Sequence, residues 1–334
     1  MIIYRAGNKV REESEGAYRL HSFYYCYDGN DVSSLKLDLK NKVRIFIDSG
    51  AFSAKAKGEE INIDNYIAFL TEYQDRLEVY ANLDVIGDAE GTWKNHVKMK
   101  KAGLNPIPVF HMGEDFKWLH RYMDSGEDYI AMGGLVVKDK CLTPYLDHLW
   151  SQHITDKDGW PLVRLHGFGL TNFSLMWRYP WYSVDSTSWI MTARNGHVFV
   201  PYRVNGEWCY TRRPYKISLS VINPKATAVH YEELSINEKI EFEEYVTAKG
   251  CNIGSSTYRK EPRTYKLQEN EKWVGAKREE MKMRVVETIV ESGLRNSYIM
   301  RDTLNSVYFI DLQNAMPPYP WRFTRKKQLF GFGL

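Results

Sequence analysis

Three carboxylates and two histidines stand where apolar runs stop. Asp48 closes "VRIFID" (43–48), Asp84 closes "EVYANLD" (78–84) and Asp185 lies in "WYSVDS" (181–186). His111 ends "PIPVFH" (106–111), His166 precedes a glycine in "PLVRLHG" (161–167), and Gly133-Gly134 completes "DYIAMGG". A charge at the edge of a buried layer is expensive unless it is paired or used. Carboxylates gathered at one place are material for a hydrolase, lyase or group-transfer site. Each taken singly could instead cap the next helix or bond a loop, and Ser49 could share that capping with Asp48. His111 and His166, each alone, fit the pattern of hydrogen-bonded structural histidines. His96, His120, His148, His153 and His230 fall in helical or loop patterns and receive no role.

Something must bring these strand ends together. Further apolar runs are "LHSFYY" (20–25), "DYIAMG" (128–133) and "KISLSVI" (216–222). Most of the runs are continuous rather than alternating, as expected of parallel strands buried on both faces. Between them lie helical patterns. "INIDNYIAFLTEYQDRL" places Ile63, Ile67, Leu70 and Leu77 near one face, with Asp64 as its N-cap, and "DAEGTWKNHVKMKKAG" ends in a cationic turn and a glycine. "EDFKWLHRYMDSG" and "LTPYLDHLWSQHI" are of the same kind.

Strand–helix units at intervals of about 20–35 residues imply a parallel sheet, and about eight of them imply a closed (β/α)8 TIM-type barrel whose C-terminal strand ends share one mouth. A doubly wound open sheet is the alternative, but the glycine fingerprint of a dinucleotide-binding sheet is missing. "VPYRVNGEWCY" reads as a hairpin around Asn205-Gly206, so 195–215 is expected to be an insertion between the last two strands. From about 235 the chain turns charged and helical. The expected organisation is therefore a catalytic barrel over 1–234 and a helical extension over 235–334 packed on it.

Composition narrows the class. The 334 residues carry a formal net charge of only +3, too little to establish a nucleic-acid partner, and 14% are aromatic, which suits stacking on flat ligands and aromatic cores alike. Cys26, Cys141, Cys209 and Cys251 show no CxxC spacing, so neither a zinc ribbon nor a redox pair is supported and no metal or other cofactor is expected. A reduced cytoplasm is the default setting. The first residues hold too short an apolar run for a signal peptide, and no run approaches the roughly 20 residues of a membrane span.

The order and local wording of these pieces resemble the tRNA-guanine transglycosylase superfamily. "IDSGAF" is similar to that family's D-S-G-G-F element and "YIAMGGLVV" to its I-G-G-L-x-V element. "LHGFGLTN", "YSVDSTSW" and "TARNGHVF" follow in the family's order of a G-x-G strand end, an F-D-x-V catalytic strand and R-N-G-x-L-F. The similarity spans about residues 43–200. It implies exchange of guanine in a nucleic acid for a 7-deazaguanine base, with a covalent aspartyl–sugar intermediate and retention at the sugar carbon. By carry-over Asp185 is the nucleophile and Asp48 the general acid/base. Asp84 accepts from the ring N–H and exocyclic amine of the base, Gly133, Gly134 and Leu135 supply close backbone contacts, Phe52 stacks on the base, and His111 and Ser49 add polar contacts; His111 stands where the family usually has Gln.

The family's tRNA-handling members also carry a C-x-C-x-x-C…H zinc site after the catalytic strand. This chain offers only Cys209 and Cys251 there. That departure points to the branch, found in bacteria and their viruses, that exchanges guanine in DNA for bases such as preQ0. Ala51, Ser53 and Ser186 also depart from the family's Gly, Gln and Cys. DNA binding would draw on Arg194, Arg203, Arg212, Arg213 and Lys216, and at the tail on Arg322, Arg325, Lys326 and Lys327, interleaved with Trp208, Tyr210, Tyr215, Trp321 and Phe323. The same cations also fit an ordinary solvated surface. The expected partners are DNA and a free 7-deazaguanine base. Exchange in tRNA, or a catalytically silent nucleic-acid-binding subunit, are the alternatives.

Overall fold

Eight short strands form one parallel sheet. They are β1 (Ile2–Ala6), β2 (Tyr18–Ser22), β3 (Arg44–Asp48), β4 (Val79–Tyr80), β5 (Val109–His111), β6 (Tyr129–Gly133), β7 (Arg164–Gly167) and β8 (Ser183–Ser186). Their order is β4-β3-β2-β1-β8-β7-β6-β5. This computed structural model describes residues 1–7, 16–27, 32–136, 142–220, 228–275 and 282–324. The sheet curls until its ends meet at a parallel bridge between Ala81 and Ile107, where the Asn82 N–H donates to Ile107 O and the Ile107 N–H to Tyr80 O, both at 2.9 Å. The result is an α/β fold with the arrangement of a TIM-like barrel. Helices α1 (Phe23–Tyr27), α2 (Val32–Lys40), α3 (Ala51–Ala56), α4 (Ile63–Tyr73), α5 (Ala89–Lys101), α6 (Phe116–Asp124), α7 (Leu142–Gln152) and α8 (Phe173–Arg178) lie in the connections.

Two apolar layers explain the continuous runs. Ile45, Ile47, Tyr80 and Leu83 pack outward with Leu35, Tyr66, Leu70 and Met99 of the helices. Tyr4, Leu20, Phe46, Val109, Tyr129 and Ala131 form the inner core. Side chains alternate along a strand, so Asp48 shares the inward face with Phe46, and His111 shares it with Val109.

Several expectations are corrected. The run 216–222 does not supply the eighth barrel strand: Tyr215–Ser218 belongs to a separate three-stranded sheet, and residues 221–222 lie outside the described ones. The missing strand is β1, between β2 and β8, whose short apolar run "IIYRA" had been weighed only as a leader. Arg19 of β2 helps to hold its end, donating to Gly7 O at 2.7 Å. The run 20–25 leaves the sheet after Ser22 and continues as α1. The N-cap of α4 is Asn62, which accepts from Asp64 and Asn65, rather than Asp64. Asp84 lies on the loop after β4, because that strand ends at Tyr80.

The chain divides after Thr187, not after 234. One compact unit is Met1–Thr187 together with the C-terminal segment that starts at Met316, and the other is Ser188–Ala315. The second unit contains α9 (Ser188–Arg194), β9 (His197–Val200), β10 (Tyr202–Val204), β11 (Glu207–Cys209), β12 (Tyr215–Ser218), β13 (Val229–His230), α10 (Ile236–Ala248), β14 (Ser255–Pro262), β15 (Glu271–Val274), β16 (Met283–Glu291) and α11 (Tyr298–Ala315). The hairpin exists as β10–β11, turning at Asn205-Gly206 with Val204 opposite Glu207. It follows the last barrel strand and is no insertion between two of them. The region after 235 is not helical throughout either: β14, β16 and β15 form an antiparallel sheet. The sequence of β16, "MRVVETIVE", is rich in β-branched residues, which favour a pleated, half-buried strand over a charged helix face.

Candidate active site

Asp48 sits on the last residue of β3, and the chain turns sharply after it. Gly50, at φ +81°, makes that turn, and a Cβ there would lie 2.3 Å from Ser22 Oγ and 2.4 Å from Tyr24 Cβ, so no side chain fits. The Gly50 N–H donates to Asp48 Oδ2 at 3.1 Å, and the Ala51 N–H to Ser49 Oγ at 3.2 Å. Local turn bonding and delivery of a carboxylate to the mouth are thus both present. Burial raises the Asp48 carboxyl to about 8, with the negative fields of Asp84 and then Asp185 adding to it, against the lowering effect of the Gly50 and Ser49 backbone. Asp48 therefore holds its proton at neutral pH, as a general acid must.

Ser49 is fully buried and donates to Asp84 Oδ1 at 2.9 Å. The loop that carries Asp84 is pinned to α5: the Asn82 Nδ2 donates to Thr92 O, the Asn95 Nδ2 to Leu83 O and the Val85 N–H to Thr92 Oγ1, at 3.2, 3.0 and 2.8 Å. Asp84 Oδ2 lies 3.0 Å from His111 Nε2, and His111 Nδ1 lies 3.3 Å from Glu114 Oε1. Burial alone would lower the His111 imidazole, but the bonds and charges of Asp84 and Glu114 outweigh it and carry it up to about 9. Gly133 makes room for this ring, since a Cβ there would stand 2.5 Å from His111 Cδ2. A cavity of about 490 Å3 opens beside Asp84, walled in part by Ala51, Lys55, Ile61, Val85 and Asn95.

Asp185, on β8, is 7% exposed. Its Oδ1 accepts from the Gly169 N–H at 2.8 Å and lies 3.3 Å from His166 Nε2. On the far side of that ring, His166 Nδ1 is 2.6 Å from Ser183 Oγ, which is 2.6 Å from the Tyr129 hydroxyl. Burial lowers the His166 imidazole, partly countered by Asp185. Phe46 and Phe168 flank His166 at ring-centroid distances of 4.7 and 4.6 Å and give the site an aromatic floor.

Asp48, Ser49, Asp84, His111 and Gly133 thus form one connected set, coupled to Asp185 through the charge felt at Asp48. Gly134 follows at φ +77° and Leu135 is buried. Phe52 lies on α3 and is 76% exposed, and it takes no part in that set. Glu114, which carries no mark in the sequence, belongs to the site, as do His166, expected only as a structural histidine, and Gly169 of "LHGFGLTN". For His166 the signal was available: it alternates with Arg164, on a strand paired to the one that carries Asp185. Both ring nitrogens of His111 face carboxylates, Asp84 on one side and Glu114 on the other.

A second cavity, about 270 Å3, lies at the opposite, N-terminal end of the strands, lined by residues that include Glu78, Asn105, Asp128 and Tyr182. Its Arg164 is already held by Asp128 at 2.8 and 2.9 Å.

Within the second unit, Trp208, Arg213, Tyr215, Lys216 and Phe242 line a groove of about 480 Å3 that also holds Glu238 and Glu241. Burial lowers the Lys216 ammonium. Arg194, Arg212 and Arg213 are exposed. Arg203 pairs with Glu244 and lies 5.2 Å over the Trp208 ring. Of the tail residues, Arg325, Lys326 and Lys327 lie outside the described residues. Among the described residues no cluster of His, Cys, Asp or Glu has the arrangement of a metal site, and no helix is long and apolar enough to cross a membrane.

No protein-family model, curated protein or solved structure matches the chain.

Proposed function

We propose that the chain is a (β/α)8 transglycosylase that exchanges guanine in DNA for a 7-deazaguanine base. The observation that carries this reading is two carboxylates in different surroundings at one end of a parallel barrel: Asp48 kept protonated by burial and its acidic neighbours, Asp185 accepting from the Gly169 N–H with His166 3.3 Å away. Retaining glycosyl transfer needs that division of labour. An Asp185 oxygen attacks C1′ of the target nucleotide. The bond from C1′ to the base nitrogen breaks, its electron pair leaves with the base, and the base takes the Asp48 proton. An incoming 7-deazaguanine then gives its ring N–H proton to Asp48, the new bond to C1′ forms, and Asp185 departs. Two displacements restore the original configuration.

Asp84 would read the amidine edge of the base, and the backbone of Gly133, Gly134 and Leu135 its carbonyl, with Ser49 behind Asp84. Phe52, exposed on α3, would cover the base only once a ligand is bound. The lack of the tRNA-type zinc-ligand spacing favours DNA over tRNA, and Arg194, Arg203, Arg212, Arg213 and Lys216 would contact its backbone. The test is incubation of the protein with duplex DNA or with tRNA, and labelled guanine or preQ0. Label in DNA alone supports the reading. Label in tRNA alone overturns the choice of DNA, and label in neither overturns base exchange by this chain.

A further inference from the structure

The turn after β5 contains a carboxylate that base exchange itself does not require. Glu114 grips His111 twice: the His111 N–H donates to Glu114 Oε2 at 3.0 Å, and Glu114 Oε1 lies 3.3 Å from His111 Nδ1. The opposite ring nitrogen faces Asp84 Oδ2 at 3.0 Å. All three side chains are only 11–13% exposed. A buried imidazole with a carboxylate on each nitrogen is an imidazolium, because each contact needs an N–H. Its charge lies against Asp84, whose other oxygen takes the Ser49 hydroxyl at 2.9 Å.

We propose that Glu114 is a positioning residue that, through His111, gives the Asp84 carboxylate a cationic partner and keeps it aimed into the mouth for the incoming base. The inference rests on the base-exchange reading for the identity of the ligand, but not for the buttress itself. The need for it is electrostatic. Asp48, Asp84 and Asp185 crowd one mouth, and repulsion among them favours protonation of whichever is least supported. A protonated Asp84 would offer a donor where two N–H groups of the base need acceptors. The imidazolium gives Asp84 a counter-charge that Asp48 lacks. Glu114 in turn keeps the imidazole charged. Behind the ring, β6 presents only Gly133, and the nearby titratable groups are Tyr122 of α6 and Tyr145 of α7, whose hydroxyls burial and Glu114 keep protonated.

Two measurements test this. Titration of the histidine ring signals by NMR, with His111 assigned by loss of its signal in His111→Asn, is expected to find His111 still protonated at pH 8 in the parent and its midpoint at least about one pH unit lower in Glu114→Gln. In steady-state exchange, Glu114→Gln is expected to raise KM for preQ0 about tenfold or more, increasingly as pH rises from 6.5 to 8.5, with kcat changed by less than about threefold, since binding of the base is what it supports. In a His111→Asn background the further change Glu114→Gln is expected to add less than about twofold, because both act through one ring. An unmoved His111 midpoint overturns the buttress. So does a moved midpoint with an unaltered KM, or an additive double variant. If the parent protein exchanges no base at all, the proposed function fails instead, and the titration alone decides whether Glu114 holds His111 charged.

Discussion

Replacing Asp48 with asparagine should stabilise the protein while abolishing its chemistry, and the stabilisation should depend on pH. The ordinary carboxyl value is 3.8, and burial beside Asp84 and Asp185 raises Asp48 to about 8. Below about pH 4 both folded and unfolded chains hold the proton, and the group contributes nothing. Between about pH 4 and pH 8 the unfolded chain has released it and the folded chain has not, so stability falls as pH rises; above about pH 8 the penalty is constant. A separation of roughly four pH units sets a ceiling of about 6 kcal/mol. Asp48 still touches solvent at the mouth, and its neighbours can reorganise, so about half of that is the working expectation. Asparagine has nearly the same shape, can keep the bond from the Gly50 N–H, and does not titrate. Denaturant unfolding of both proteins at pH 4.5, 6 and 8.5 should show Asp48→Asn gaining on the parent by about 1.4 kcal/mol per pH unit at most, and by about 3 kcal/mol in all. A difference that stays flat across this range would mean that Asp48 ionises normally in the fold. The electrostatic basis for its proposed role as general acid would then be gone.

Asp185→Asn should lower exchange by more than about 10³-fold and prevent any covalent protein–DNA adduct; an adduct trapped in that variant would show that another group is the nucleophile. Gly50→Ala should cost about 3 kcal/mol, measured by thermal or denaturant unfolding, because its methyl meets Ser22 and Tyr24 and its φ is positive. Replacing Arg213 and Lys216 together with alanine should reduce the slope of log affinity for DNA against log salt by about 1.8, whereas Arg203→Ala, whose charge already faces Glu244, should change it less. An unchanged slope in the double variant would remove the second unit's groove from the DNA contact.

Much of the barrel was legible because its signal is local. Continuous apolar runs ending in Asp48, His111, Gly133 and Asp185 predict parallel strands, and alternation then fixes which side chains face inward. The errors share a cause too. The short N-terminal run "IIYRA", four apolar residues and an arginine, carries the same local signal as a strand, and only the closing of an eight-stranded sheet reveals that β1 is one of its strands. Tyr215–Ser218 has a good strand composition but no local mark that says which sheet it joins. Charged stretches misled in the other direction: "EKWV" and "MRVVETIVE" hold enough Lys, Glu and Arg to read as helix, while their β-branched residues decide for strands. Glu114 was invisible because its role depends on a turn that folds it back three residues onto His111.

The site is best understood as a contest for one proton. Asp48, Asp84 and Asp185 are each supported differently: Asp185 by the Gly169 N–H and His166, Asp84 by Ser49 and the His111 imidazolium, Asp48 by little more than its own turn. Repulsion must be relieved somewhere, and it is relieved at the least supported carboxylate. On the proposed reading, that places the acid on β3 and leaves Asp185 to attack and Asp84 to bind the base. The same logic gives a reason for a histidine rather than an amide at position 111. A neutral amide could not neutralise Asp84, whereas a histidine clamped by Glu114 does so and, on the proposed reading, would secure the charge distribution on which both displacement steps depend.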